Sequence, residues 1–416
     1  MDLDRALESL LAAAQPLAET QWVDTFEADG RVLAQHLVSA LHVPPQDNSS
    51  MDGYAVRCAD VQTASPTHPV CLPVSQRIAA GHSSQSLQPG TAARIFTGAP
   101  LPLGADAVVM QEDVGTETTA DGASMVRFST APAVGQWVRR AGEDVCRGAQ
   151  VLAAGTRLGP AELGLAASLG LARLTVCRRP RVALLSTGDE LVMPGAVAPE
   201  AMPPGAIYNS NRFFLRAMLV RLGCEVTDLG IVPDSRSATV QALADAAHSH
   251  DLILTSGGVS VGEEDHIKPA VEHLGGLDLW QIAMKPGKPF AHGHIRRTGG
   301  AHGQAHFMGL PGNPVSSFMT FVLLVRPFVL RLQGVTDVAC PSQVLPAHFS
   351  VVKADKRREF LRVRRNLHGG LDLFSNQSSG VLTSAVWGDG VVDNPAGTTV
   401  SHGDAVRYLS FADLLA

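Results

Sequence analysis

A multidomain protein, α/β in its middle and β-rich on either side, is the fold class this sequence predicts. Three observations carry it. The chain has 416 residues, more than one domain of roughly 100–200 residues holds. Between 180 and 330, short apolar runs alternate with helix-length segments, the pattern of a parallel sheet covered on both faces. Before and after that region, short apolar runs sit between clusters of Gly, Pro, Asn, Asp and Ser, in a chain with 40 glycines and 26 prolines, a turn-rich composition.

The elements follow in order. Leu3, Leu7, Leu10 and Leu11 share one helical face and predict a surface helix over 3–14. From about 45 to 140, runs such as Ala107–Met110 and Met125–Phe128 predict short strands of a β-rich module. Over 141–177, Pro160 and an apolar stretch ending Leu174-Thr175-Val176 predict a helix feeding a strand. Arg181–Leu185 is a strand ending in Ser186-Thr187-Gly188, followed by a helix near Asn211–Leu222 that Gly223 stops. Glu225–Leu229 is the next strand, 236–248 the next helix, and Leu252–Thr255 a third strand running into Ser256-Gly257-Gly258. Phe360–Val363, Gly390–Val392 and Ala405–Leu409 predict a small β-barrel or sandwich. The expected division is 1–44 with 141–177 as a discontinuous linker domain, 45–140 as the β-rich module, 178–332 as the α/β domain and 333–416 as the C-terminal β-barrel.

Composition narrows the function. A hydrophobic content of 45% with 17% charged residues provides a large core and excludes disorder. The net charge of −6 and the lack of a basic stripe exclude nucleic-acid binding. The six cysteines show no C-x-x-C spacing, which argues against zinc and redox motifs and fits a reducing compartment. Met1-Asp2-Leu3-Asp4 lacks a basic signal-peptide start, Leu163–Ala172 is too short to span a bilayer, and Phe321–Leu330 contains Arg326 and Pro327. A soluble, cytoplasmic protein with no membrane partner is expected.

In α/β sheets ligands bind beyond the carboxyl ends of the strands, and the chemistry-bearing segments fall there. Thr255-Ser256-Gly257-Gly258-Val259-Ser260-Val261-Gly262 can turn successive backbone N–H groups toward an anion, although it lacks the Gly-Lys-Ser/Thr of a Walker A loop. Glu263-Glu264-Asp265 suits a helix dipole alone, but with Glu190 and Asp234 it puts acids at three strand ends, where Mg²⁺ takes one or two carboxylates plus phosphate oxygens. Lys285-Pro286-Gly287-Lys288-Pro289 holds two ammonium groups on a stiff loop. Two unit anions 4 Å apart repel by roughly 4 kcal/mol at an effective dielectric of 20, so adjoining oxyanions need such cations. In Gly309-Leu310-Pro311-Gly312-Asn313-Pro314-Val315-Ser316-Ser317, Asn313 is a natural N-cap with Pro314 at the first helical position, and the serines could hold a terminal phosphate. Asp47–Arg57 and Arg139–Asp144 read as turns with a strand and have no role on composition alone. The histidines at 292, 294, 302 and 306 flank what reads as a hairpin tip at 296–300, and no metal site is expected there.

With those segments in hand, the chain resembles the molybdopterin molybdenumtransferase family, which includes the C-terminal domain of gephyrin. The resemblance rests on Ser50-Met51-Asp52-Gly53-Tyr54-Ala55-Val56-Arg57, Ser186-Thr187-Gly188-Asp189-Glu190-Leu191, Ser256–Gly262, Lys285–Pro289 and Leu310-Pro311-Gly312-Asn313-Pro314, in the family's order. Ser50 stands where the family usually has Ala, and Lys356 where it usually has Gly. The resemblance implies an elongated homodimer with a three-layer α/β/α molybdopterin-binding domain. The active site would lie between that domain and the β-rich module of the other subunit. The implied reaction joins adenylylated molybdopterin and molybdate, with Mg²⁺, to give molybdenum cofactor and AMP. Asp52, Asp144, Glu190, Asp234, Asp265, Lys285 and Lys288 would be the catalytic set, with Glu190, Asp234 and Asp265 on the metal. Thr187, Gly188, Ser256, Gly257, Gly258, Ser260, Pro311, Gly312, Asn313, Ser316, Ser317 and Arg357 would bind pterin and phosphate. An adenylyltransferase and recipient molybdoenzymes are the implied protein partners. Two rival readings remain: the adenylyltransferase itself, for which about 160 residues of α/β domain would suffice, and a scaffold of the same fold.

Overall fold

The computed structural model describes residues 1–258, 266–297 and 303–415. Two compact units emerge, one formed by Met1–Gln35, Ala154–Gly159 and Arg173–Ala416, the other by His36–Ala153 and Pro160–Ala172.

In the first unit, α1 (Leu3–Ala13) starts at Asp2, whose side chain accepts the N–H of Asp4, and buries Leu3, Ala6 and Leu10. The α/β region then runs β1 (Arg181–Thr187), α2 (Asn211–Arg221), β2 (Glu225–Val232), α3 (Arg236–Ser249), β3 (Leu252–Ser256), α4 (Ile267–Leu274) and β4 (Gly275–Gln281). β5 (Met284–Lys285), β6 (Pro289–Arg296), β7 (Gln304–Leu310) and α5 (Pro314–Thr320) follow. A π-helical turn over Phe321–Val325 leads into α6 (Arg326–Leu332). Pro327 has no N–H to donate and its ring would press on the carbonyl one turn back, so the helix widens just before it. By length and hydropathy Pro314–Leu332 could cross a membrane, but 83% of that window is buried inside the protein.

The central sheet has the order β2-β1-β3-β7-β6-β4. The pairs β1/β2, β1/β3 and β3/β7 are parallel. The pairs β6/β7 and β4/β6 are antiparallel. The three strands expected to be parallel, β1, β2 and β3, pair that way. β6 and β7, on either side of the expected hairpin tip, pair antiparallel, and with β4 they make the whole sheet a mixed one. Alternation divides the sheet's faces. Val182, Leu184, Leu252, Leu254, Met308 and Leu310 join a core with α1, α2 and the 314–332 helix, while Ala183, Leu185, Ile253 and Phe307 join another with α3 and α4.

The amino ends of these strands are pinned by a buried ion pair. Arg178 donates to both oxygens of Asp251 at 2.8 and 3.0 Å, and Asp251 also accepts the Arg181 N–H at 2.8 Å. The Asp251 carbonyl accepts the His306 N–H, so one residue ties β1, β3 and β7. Burial alone would raise the Asp251 pKa, but the bonds from Arg178 and Arg181 hold it below the usual carboxylate value.

His292 and His306 face the 314–332 helix, stacked with ring centroids 6.2 Å apart and both edge-on to Phe328. Burial pushes His292 down to about 4, so it is a neutral core ring at physiological pH. Among the described residues no group of three His, Cys, Asp or Glu is arranged to hold a metal. His302 lies outside the described residues.

The C-terminal sheet runs β8 (Gln343–Pro346), β9 (Arg358–Arg365), β10 (Leu371–Leu373), β11 (Gly390–Asn394) and β12 (Ala405–Ser410). Its order is β5-β9-β11-β12-β8, with β10 beside β9. β5 belongs by sequence to the α/β region, yet it pairs parallel with β9, setting Lys285 opposite Glu359.

The second unit holds a six-stranded sheet that includes Gly53–Val56, Ala92–Ile95 and Ala107–Met110. Gly53 has no room for a side chain there, because a Cβ would fall 2.0 Å from the Val109 carbonyl oxygen.

Replacing Asp251 by Ala leaves the buried Arg178 guanidinium with only the mostly exposed Glu19 as a counter-charge and is expected to destabilise the unit by about 3 kcal/mol in urea unfolding. For His292 the folded pKa lies below the unfolded value of about 6.5, so the unfolded chain binds more protons and stability rises with pH between about 4 and about 6.5. His292→Phe should flatten that part of the stability–pH curve; an unchanged slope would show that the ring is not buried as described.

Candidate functional site

β1 and β3 are neighbours, but the chain leaves β1 for β2 on one side and returns to β3 on the other. That reversal opens a crevice at their carboxyl ends. The register puts Ser186 beside Ser256 and Ser256 beside Leu310, so β1, β3 and β7 end at one level. A cleft of about 360 Å³ lies beyond them, lined by Thr187 and Glu190 at and after the end of β1, Asn209 and Asn211 at the start of α2, Ser256 and Gly257 at and after the end of β3, and Gly312 and Asn313 before α5.

The backbone explains the glycines. Gly257 and Gly258 have φ of +92° and +69°, values that disfavour side chains. A Cβ on Gly257 would meet the Thr187 carbonyl oxygen at 2.9 Å, and one on Gly258 would meet Ile267 Cγ1 at 2.5 Å. Gly188, at φ +136°, leaves room for the Glu190 carboxylate, which would lie 2.5 Å from a Cβ there. Asn211 ties the rim together: its Nδ2 donates to Ser256 Oγ at 2.9 Å and to the Gly312 carbonyl at 2.7 Å. Several buried polar atoms around these strand ends have no partner among the described residues, including Ser186 Oγ, Asn209 Nδ2, Asn211 Oδ1, Thr255 Oγ1 and Ser317 Oγ. Buried polar atoms are ordinarily satisfied, so this concentration marks a place where a polar ligand or water belongs.

A cationic loop adjoins α5. Gly287 has φ +109°, and its missing Cβ would stand 2.7 Å from Thr320 Oγ1, so the Lys-Pro-Gly-Lys-Pro loop rests on that helix. Lys285 Nζ contacts Glu359 Oε1 at 2.8 Å and Asp355 Oδ2 at 3.2 Å, and these acids, Glu359 first, raise its pKa. Arg357 grips Asp355 through Nε and Nη2 at 3.1 and 3.2 Å, which holds the Asp355 carboxyl well below its usual range. Lys288 is exposed; among the described residues it has no ion pair. Of the two lysines, it is therefore the one whose charge is open to an incoming anion.

The expected site residues thus fall into groups. Thr187, Glu190, Ser256, Gly257, Gly312 and Asn313 come together at the cleft, with Gly188 and Gly258 shaping its loops. Pro311 is buried behind it, and Ser316 and Ser317 are buried at 5% and 0% exposure. Asn313 occupies the N-cap position of α5, but its side chain makes no capping bond. Lys285 and Arg357 meet through Asp355. Asp234 is half-buried just before Ser235, which caps α3. Ser260 and Asp265 lie outside the described residues. Asp52 and Asp144 belong to the second unit. There Asp52 Oδ1 accepts both the N–H and the hydroxyl of Thr97 at 2.8 Å, and those bonds keep its pKa low. Asp144 is exposed.

Sequence reasoning missed Asn209, Asn211, Asp355 and Glu359. The Asn209-Ser210-Asn211 run at the helix start was a legible signal, since such residues gather at helix N-termini. Nothing local marked the two acids. The cleft is not the largest recess: one of about 790 Å³ opens beside Asp4, Arg358, Asp393 and Arg407, but those charges pair with one another and no glycine-rich strand end reaches it.

Comparison with known proteins covers most of the chain. Residues 1–170 match the MoeA N-terminal region (domain I and II), 183–331 a probable molybdopterin binding domain, and 344–411 the MoeA C-terminal region (domain IV). The molybdopterin molybdenumtransferase of Haemophilus influenzae is 41% identical over 87% of this chain and 85% of its own. Molybdopterin molybdenumtransferase 2 of Mycobacterium tuberculosis is 35% identical over 97% of this chain and 90% of its own. The crystal structure of a molybdopterin biosynthesis MoeA protein from Pyrococcus horikoshii superposes with a TM-score of 0.77 at 31% identity, covering 99% of each chain.

Removing the Asn211 tether is the structural test of the cleft. Asn211→Ala breaks two buried hydrogen bonds and should lower stability by about 1–3 kcal/mol in thermal unfolding; a neutral substitution would show that Ser256 and Gly312 are not held through it.

Proposed function

The chain belongs to the molybdopterin molybdenumtransferase family, and from that premise we propose that it inserts molybdate into adenylylated molybdopterin, releasing AMP and completing the molybdenum cofactor. The observation that carries this reading is the cleft at the aligned ends of β1, β3 and β7, with its glycine loops and unsatisfied polar atoms. In this reading Thr187, Gly188, Ser256, Gly257, Gly258, Ser260 and the 311–317 turn hold pterin and phosphate. Lys288 attracts the molybdate dianion. Lys285 and Arg357 form, with Asp355 and Glu359, a braced set beside it.

The donors suit Mg²⁺. Glu190 presents an exposed carboxylate at the cleft, and Mg²⁺ needs only one or two carboxylates when substrate phosphates and water complete its shell. Glu190 and Asp234, with Asp265, would hold it, and it would offset charge on the phosphates. The side chains do the rest: they orient the pterin and phosphate and gather two anions that would otherwise repel.

The same reading makes the enzyme a cytoplasmic homodimer of elongated subunits, a second copy supplying its Asp52 and Asp144. It treats 178–332 as the three-layer molybdopterin-binding domain, 333–416 as a β-barrel, 45–140 as the β-rich module and 1–44 with 141–177 as the linker domain. Substrate would come from an adenylyltransferase, and the product would pass to recipient molybdoenzymes.

AMP release from adenylylated molybdopterin, followed with and without molybdate, tests the proposal. Molybdate- and Mg²⁺-dependent release is expected. ATP-dependent adenylylation in its place would assign the preceding step. Lys288→Gln removes one charge-assisted contact and should raise the molybdate concentration for half-maximal release by about tenfold or more, with folding unchanged. No change would move anion binding away from Lys288.

A further inference from the structure

A second cleft, of about 360 Å³, lies in the first unit, away from the strand ends of the proposed active site. Part of its wall is apolar: Leu7 and Leu11 of α1, Leu323 of the π-helical turn, Phe360 of β9 and Leu414 near the C-terminus. Arg326 lines it while only 8% exposed. A guanidinium does not deprotonate in proteins, and a buried charge is normally paired. Here it has no carboxylate partner among the described residues. Nη1 and Nη2 donate to the Val338 and Asp413 carbonyls at 3.2 and 3.3 Å, longer than charge-assisted bonds usually are, and Nε has no partner.

Two of the acids lining the cleft are committed to ion pairs elsewhere. Asp4 is held by Arg358 at 2.9 Å, and Asp393 by Arg358 and Arg407 at 2.6 and 3.2 Å. Asp337 accepts the N–H of Ala339. Arg331, on the same helix, also lines the cleft without an ion pair among the described residues, and its Nε is likewise unpartnered. The recess thus combines an apolar body with an uncompensated guanidinium, the arrangement of a small-molecule site that takes its affinity from apolar contact and its orientation from one polar group. A neutral ligand would leave the buried charge as it is. An inorganic anion would leave the leucine wall wet.

We propose that this cleft binds a small monocarboxylate with an apolar chain, the carboxylate at the guanidinium end of Arg326 and the chain along the leucines of α1. The site is independent of the molybdopterin cleft. Isothermal titration calorimetry of the full chain with hexanoate tests it, with hexan-1-ol as the uncharged control and acetate as the control without a chain. Saturable hexanoate binding is expected, at least about tenfold tighter than either control. In Arg326→Met the preference for hexanoate over hexan-1-ol should vanish, and Leu7→Trp should fill the recess and abolish binding. No saturable hexanoate binding, equal affinity for hexan-1-ol or acetate, or a preference that survives Arg326→Met would each overturn the proposal. Should Arg326→Met not fold, the three-ligand comparison on the unaltered chain decides.

Discussion

Everything at the candidate site depends on three parallel strands ending at one level. β1, β3 and β7 are held in register from their amino ends, where the Arg178–Asp251 pair and the Asp251 main chain tie them together. A slip of one residue would turn alternate side chains to the opposite face and break both cores. Because the register is locked, Ser186, Ser256 and Leu310 finish side by side, and the loops that follow have no choice but to share a crevice. The sheet's reversal at β1 and β3 keeps helices from closing that crevice.

The electrostatics are divided between elements far apart in sequence. The short strand β5 leaves the α/β region to pair with β9, and this brings Lys285 to Glu359. The result is a braced cation, its charge partly spent on two acids, beside Lys288, whose charge is open. One lysine is positioned by its neighbours and the other is available to a ligand, although the two occupy equivalent places in a Lys-Pro-Gly-Lys-Pro motif.

Much of this was legible in the sequence where the cause was local. The alternation of Arg181–Leu185 and Leu252–Thr255, the glycine that stops α2 and the Ser-Gly-Gly turn each record a backbone requirement at the place where it acts. Gly257 and Gly258 are demanded by positive φ and by Thr187 and Ile267 pressing against them. What was not legible was long-range. The hairpin around 296–300 was legible, but nothing local showed that β4 would pair with β6 to form the sheet's edge. The Lys285–Glu359 contact spans 74 residues, and no period or spacing encodes it. Ser316 and Ser317 read as phosphate ligands at a helix start, and the sequence did not show that α5 is pressed into the core and buries them.

If the proposed function holds, one anion site forms at Lys288, near the start of α5. Crystals of the full chain grown with molybdate and AMP, measured at the molybdenum absorption edge, would locate the oxyanion directly. The expected result is an anomalous peak beside Lys288, between the 312–317 turn and the Lys285–Asp355–Arg357 cluster. A peak confined to the large recess at Asp4 and Arg407, or to the Arg326 cleft, would contradict it.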